Sequence, residues 1–161
     1  MKYARHKKYP LVYAVVAVLV VLGYFGWRAA AVDNRPVING PLPKAVVYRS
    51  LTCGCCANFV SYLKSKGFEV ETKLVETAER LKLGVPNSLG SCHTTQIGGY
   101  TVEGHVPVEA FAKLLNEKPA VAGIGMAGMP SGSPGMPGLK NEDFVISSFQ
   151  EDGSTQEYMR L

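Results

Sequence analysis

Three of the chain's four cysteines crowd into the stretch Thr52-Cys53-Gly54-Cys55-Cys56, and the fourth, Cys92, stands beside His93. Thiolates act as nucleophiles and as soft metal ligands, so such a cluster has three readings: structural disulfides, thiol–disulfide exchange, or metal binding. An even cysteine count in an exported domain suits disulfides. However, Cys55 and Cys56 are neighbours, and two bridges would need either a strained vicinal pair or partners on different sides. Cys53 and Cys56 have the spacing of a redox Cys-x-x-Cys pair. Against that role, a thiol inside the pair and another facing it would trap mixed disulfides, and Thr52 stands where a tryptophan usually precedes such pairs. Metal binding uses all four sulfurs. A lone tetrahedral zinc is usually held by well-separated Cys-x-x-Cys units, whereas adjacent thiolates can be shared between several soft ions, which favours a multinuclear Cu(I) site.

Two histidines of the body extend the candidate ligand set. His105, in Glu103-Gly104-His105-Val106-Pro107, ends a predicted strand just before a helix, and is read as a ligand in preference to an N-cap-like polar residue. His93 is read equally as a ligand and as a hairpin-surface residue, because neighbours on a strand point to opposite faces. Met126, Met129 and Met136 recur in a Gly/Pro-rich stretch; thioether binds Cu(I) and stays usable where thiols oxidise, although methionine also serves as a flexible gap-filler. No residue is assigned a catalytic role.

The elements that must position these groups follow from pattern. Ala45 to Tyr48 reads as a buried strand, and the cysteines then open a helix with Phe59, Val60 and Leu63 facing inward and Gly67 closing it. Phe68 to Val75 alternates as a second strand, and the stretch ending at Gly84 reads as a short helix. Gly98-Gly99 marks the tight turn of a hairpin, and Val108, Phe111, Ala112, Leu114 and Leu115 give the next helix one apolar face. The order βαβα, hairpin, α predicts an α/β, thioredoxin-like domain. On that fold the first helix begins at the Cys-x-x-Cys pair, and the loop entering the hairpin faces it, which would bring Cys92 to the other three sulfurs. A helix N-terminus also favours thiolate. Residues 122–138 are too rich in glycine and proline for helix or strand and read as a long loop. Phe144 to Phe149 and Thr155 to Met159 then form a terminal hairpin.

Residues 1–31 predict export. Lys2, Arg5, Lys7 and Lys8 precede an uncharged run from Pro10 to Trp27, and Ala29-Ala30-Ala31 offers a signal-peptidase site. Arg28 separates the run from those alanines, so an uncleaved membrane anchor is favoured over a cleaved signal peptide. Residues 32–44 read as a linker and 45–161 as one domain. The net charge of +4 belongs to the leader: residues 1–28 hold five basic groups and no acid, leaving 12 basic against 13 acidic side chains in the rest. A nearly neutral body excludes the charged stripe of a nucleic-acid binder.

The stretches Tyr48 to Cys56, Gly84 to Thr94, Gly98 to Pro107 and Gly128 to Met136 resemble, in order, the signatures of the CopG-like copper-resistance family of small exported proteins. The resemblance runs from about Val46 to Met136. It implies a thioredoxin-like fold, a periplasmic setting at or beyond the inner membrane, and copper ions as the cargo, with other periplasmic copper-handling proteins as partners. It also implies Cys53, Cys55, Cys56 and Cys92 as metal-site positions, with His93 or His105 supplying nitrogen. A thiol–disulfide oxidoreductase remains the alternative.

Overall fold

A computed structural model describes residues 10–29 and 37–161, with side chains described over 11–24 and 37–161. It forms two separate units. The first contains helix α1, Pro10–Ala29, whose described side chains, among them Leu11, Val18 and Leu22, are all exposed. Among the described residues no helix is long and apolar enough to cross a membrane. The basic residues at 2–8, Ala30, Ala31 and residues 32–36 of the expected linker lie outside the described residues.

The second unit is mixed α/β, built on one seven-stranded sheet. Its elements are β1 (Ala45–Arg49), α2 (Gly54–Ser65), β2 (Val70–Leu74), α3 (Thr77–Arg80), β3 (His93–Ile97), β4 (Tyr100–Glu103), α4 (Val108–Glu117), β5 (Gly123–Gly125), β6 (Val145–Phe149) and β7 (Thr155–Arg160). The sheet order is β2-β1-β3-β4-β5-β6-β7. β1 and β2 run parallel, as do β4 and β5, and every other neighbouring pair is antiparallel. Helix α2 stops where Gly67 takes a φ of +95°, and the β3–β4 turn is made by Gly98 and Gly99, both at positive φ.

Side-chain alternation along β3 separates the two faces of the sheet. His93 stacks on Phe59 of α2, while its neighbour Thr94 bonds to Arg80 of α3, so α2 and α3 cover opposite faces. On the α2 side Phe59, Leu63, Phe111 and Leu114 are fully buried, with Phe59 and Phe111 ring centres 6.5 Å apart. Removing a buried ring of this kind costs about 3–5 kcal/mol.

One sequence expectation is corrected. Residues 122–138 include a strand, β5, wedged between β4 and β6. A Cβ on Gly123 would run into the Thr101 carbonyl and the Phe149 ring, so the glycine that argues against a strand in the sequence is what lets neighbouring strands approach here.

Candidate metal centre

Cys53 is the N-cap of α2, and its sulfur, at 3.3 Å from Cys56 N, accepts the amide hydrogen that a serine or aspartate oxygen would take at other helices. Arg49 fixes the turn before it, donating from Nη1 to the carbonyls of Ser50 at 2.9 Å and Cys53 at 3.4 Å. The four sulfurs converge as expected. Cys53 and Cys56 are joined by a disulfide, and Cys55 and Cys92 are free thiols. Cys55 Sγ lies 3.4 Å from Cys53 Sγ and 3.8 Å from Cys92 Sγ, and all four sulfurs fall within 4.8 Å of one another.

Both histidines join them. His105 Nε2 is 3.0 Å and His93 Nδ1 3.5 Å from Cys92 Sγ, and the three residues form a second group of ligand atoms within 4.8 Å. Cys92 therefore belongs to both groups. His93 is fully buried rather than on the hairpin surface. Strand alternation does not separate it from Cys92 because β3 begins only at His93, leaving Cys92 in the irregular approach. His105 caps nothing, since Pro107 is the N-cap of α4 and the amide of Val108 donates to Tyr62 Oη at 2.9 Å.

The protonation of the imidazoles follows from their partners. The Pro134 carbonyl, 2.7 Å from His105 Nδ1, can only accept, so Nδ1 carries the hydrogen and Nε2 turns its lone pair toward Cys92. A backbone carbonyl behind a ligating imidazole is the usual arrangement at metal sites, where it fixes tautomer and ring orientation. The Cys92 thiol donates to that Nε2. Burial, then the neighbouring Cys55, push this thiol up to about 12, so it is protonated at neutral pH and must release a proton to bind an ion. Burial, then the neighbouring His105 and the Arg80 guanidinium, hold His93 down to about 3, and burial lowers His105 as well. Both are neutral and competent to ligate at pH 7. Phe59 holds the two rings, its centre 4.3 Å from His93 and 5.8 Å from His105. Nδ1 is the His93 nitrogen that faces Cys92, and Nε2 is buried on the other side of the ring.

The three methionines do not behave alike. Met126 is buried in the core, and Met129 is half exposed. Met136 lines an open cleft of about 510 Å³ together with Gly54, Cys55, Asn58, Gly135 and Pro137. Cys56, His93 and His105 are buried, whereas Cys53, Cys55 and Cys92 are half-buried, and the cleft is where Cys55 meets solvent. Gly135, at a φ of +84°, seals the loop to α2: a Cβ there would come within 2.7 Å of Phe59 N and 2.8 Å of Cys55 O. Its carbonyl accepts from Asn58 Nδ2 at 3.3 Å.

The sequence reading missed Arg80 and Glu103, which form a buried ion pair with Nη1 and Oε1 2.6 Å apart, directly behind the Cys92 segment. The available signal was slight. Glu103 ends the strand that leads to His105, where alternation from buried Val102 would have placed it on the opposite, α3 face.

Residues 89–136 match a family described as a protein of unknown function, DUF411. No curated protein sequence matches. The solved structure of copper resistance protein copG in its form 1 is 34% identical, spans 75% of this chain and 98% of its own, and superposes with a TM-score of 0.67. Form 2 is 36% identical, spans 75% and 99%, and gives 0.66. On identity and coverage together, the chain belongs to the CopG-like copper-resistance family.

Proposed function

We propose that this protein is a periplasmic copper-binding protein of copper homeostasis, whose reduced cysteines hold Cu(I) as a multinuclear thiolate cluster. The observation that carries the reading is the convergence of three further sulfurs and two neutral imidazoles around Cys92. The donor set fits copper. Soft thiolates select Cu(I), the adjacency of Cys55 and Cys56 suits bridging over a single tetrahedral ion, and imidazole accommodates either oxidation state. Family membership directs the choice of metal the same way. The order β2-β1-β3-β4, with the cysteines at the start of α2 and α4 following the hairpin, supports a thioredoxin-like core, extended at one edge by β5, β6 and β7.

Loading needs electrons as well as metal. Cleavage of the Cys53–Cys56 disulfide by a dithiol forms two cysteine thiols, while the donor's two sulfurs become its disulfide. Only then do all four sulfurs become available, and each thiol that ligates gives up its proton. Copper enters beside Cys55 and Met136, through the cleft. Export rests on the leader: a basic N-terminal stretch followed by an uncharged run from Pro10 to Trp27 that lies within the helix Pro10–Ala29 and exposes its described side chains. The reading places the domain beyond the inner membrane, tethered or released, where other copper-handling proteins meet it.

The disulfide at the start of α2 favours a second reading, a thiol–disulfide oxidoreductase. Protein purified without oxygen should contain copper, and metal-free protein should reduce insulin slowly or not at all. Brisk insulin reduction by metal-free protein, abolished by copper, would support the second reading over the first.

A further inference from the structure

We propose that the buried Arg80–Glu103 ion pair is a positioning device for the metal site, setting Cys92 through the main chain of the residue before it. The inference rests on the reading of Cys92 as a copper ligand. Glu103 is fully buried and Arg80 nearly so, on the α3 face of the sheet, opposite the cysteines. A buried pair of this kind adds little stability over an apolar pair of the same size, so its presence calls for a role that apolar packing does not supply.

The bonding pattern supplies one. Arg80 Nη2 donates to the Ser91 carbonyl at 2.8 Å, and the Ser91 amide donates to Glu103 Oε1 at 2.9 Å. Both main-chain polar groups of Ser91 therefore end on the ion pair. On the far side of Cys92 and His93, the Thr94 hydroxyl donates to Glu103 Oε2 and accepts from Arg80 Nη1 at 3.2 Å. Cys92 and His93 are bracketed, held from one face while their side chains work on the other. Ser91 has little room to shift, because its hydroxyl bonds the Gly128 carbonyl and its side chain fills the space a Cβ on Gly104 would need. Without the bracket, both main-chain bonds of Ser91 and both hydroxyl bonds of Thr94 are lost, which loosens the hold that keeps Cys92 Sγ at 3.0 Å from His105 Nε2 and 3.8 Å from Cys55 Sγ. Outer partners of this kind govern metal affinity without touching the ion.

The test compares the full chain with Cys92→Ser and with two paired replacements. Arg80→Met with Glu103→Leu removes the whole bracket while leaving apolar bulk, and Arg80→Met with Glu103→Gln retains an acceptor for the Ser91 amide. Three quantities are measured: apo thermal unfolding, Cu(I) affinity against a competing chelator, and the rate at which iodoacetamide alkylates Cys92 in metal-free protein. The Leu pair should stay folded, lose about 10–100-fold in Cu(I) affinity, and expose Cys92 to faster alkylation. The Gln pair should lie between it and wild type. Wild-type affinity and wild-type Cys92 reactivity in the folded Leu pair would overturn the proposal. Should the Leu pair fail to fold, the same result in the Gln pair overturns it. If Cys92→Ser binds copper as wild type does, the reading of Cys92 as a copper ligand fails instead, and Cys92 alkylation in the Leu pair alone decides whether the bracket exists.

Discussion

Replacing Gly135 with alanine isolates the contact between the Gly/Pro loop and the metal site. Gly135 sits at φ +84°, and Gly153, in the distant β6–β7 turn, sits at +83°. An alanine at either position meets the same left-handed backbone cost, about 1–2 kcal/mol. Nothing lies within 4 Å of a Cβ on Gly153, whereas a Cβ on Gly135 would press on Phe59 N, Cys55 O and Phe59 Cα at 2.7 to 3.0 Å. These are backbone atoms of a helix and cannot turn aside, so the loop must lift, at a further cost of about 1–3 kcal/mol. Gly135→Ala should therefore lose about 2–5 kcal/mol in total and Gly153→Ala about 1–2. At on the order of 4 °C per kcal/mol for a domain of this size, the two melting temperatures should be clearly separated. Lifting the loop also draws the Pro134 carbonyl off His105 Nδ1, from 2.7 Å, and releases the ring tautomer. Cu(I) affinity should then fall about 10–100-fold in Gly135→Ala and stay at the wild-type value in Gly153→Ala. Thermal melts of metal-free full-length protein and chelator competition for Cu(I) read the two effects separately. Equal melting temperatures with unchanged Cu(I) affinity would refute the claim that the loop seals and orients the site.

Met136→Leu should leave equilibrium copper content unchanged and slow loading in stopped-flow transfer from a Cu(I) chelator, because Met136 borders the cleft beside Cys55; Met126→Leu, a core exchange of similar volume, should alter neither. Metal-free protein should weaken in acid. His93 binds its proton near pH 6.5 when unfolded but only near about 3 when folded, so the unfolded state takes up more protons between those values, and stability falls by up to about 1.4 kcal/mol per pH unit as pH drops through that window. The Cys92 thiol acts in the opposite direction: its raised folded value stabilises the fold below about 8.5, and that stability is lost as pH rises toward about 12. Urea melts across pH should thus show a plateau between roughly 6.5 and 8.5; a stability that keeps rising down to pH 4 would contradict the buried, neutral His93.

Most of the site was legible in the sequence because its parts sit at element ends marked by local signals. The cysteines open a helix with a clear apolar stripe, and Gly98-Gly99 fixes the hairpin that returns Cys92 and His105 to them. What local pattern could not express was tertiary. His93 is a buried partner of Cys92 because β3 starts one residue later than pattern can resolve. Gly123 and Gly125 spell a loop in isolation and become a strand only because β4 and β6 close around them. Arg80 and Glu103 resemble surface charges until the fold buries them against each other, 23 residues apart in the chain. The grouping of the three methionines divides for the same reason: recurrence in a loop does not reveal that Met126 enters the core while Met136 faces the cleft.

The central claim, that the four sulfurs bridge several copper ions, is tested most directly by native mass spectrometry of the anaerobically reduced protein titrated with Cu(I), beside the same titration of Cys92→Ser. Cys92 belongs to both ligand groups, so the wild type should retain more than one Cu(I) per chain against a competing chelator, and the variant fewer. A single tightly held zinc that Cu(I) does not displace, or a copper count that Cys92→Ser leaves untouched, would contradict the account.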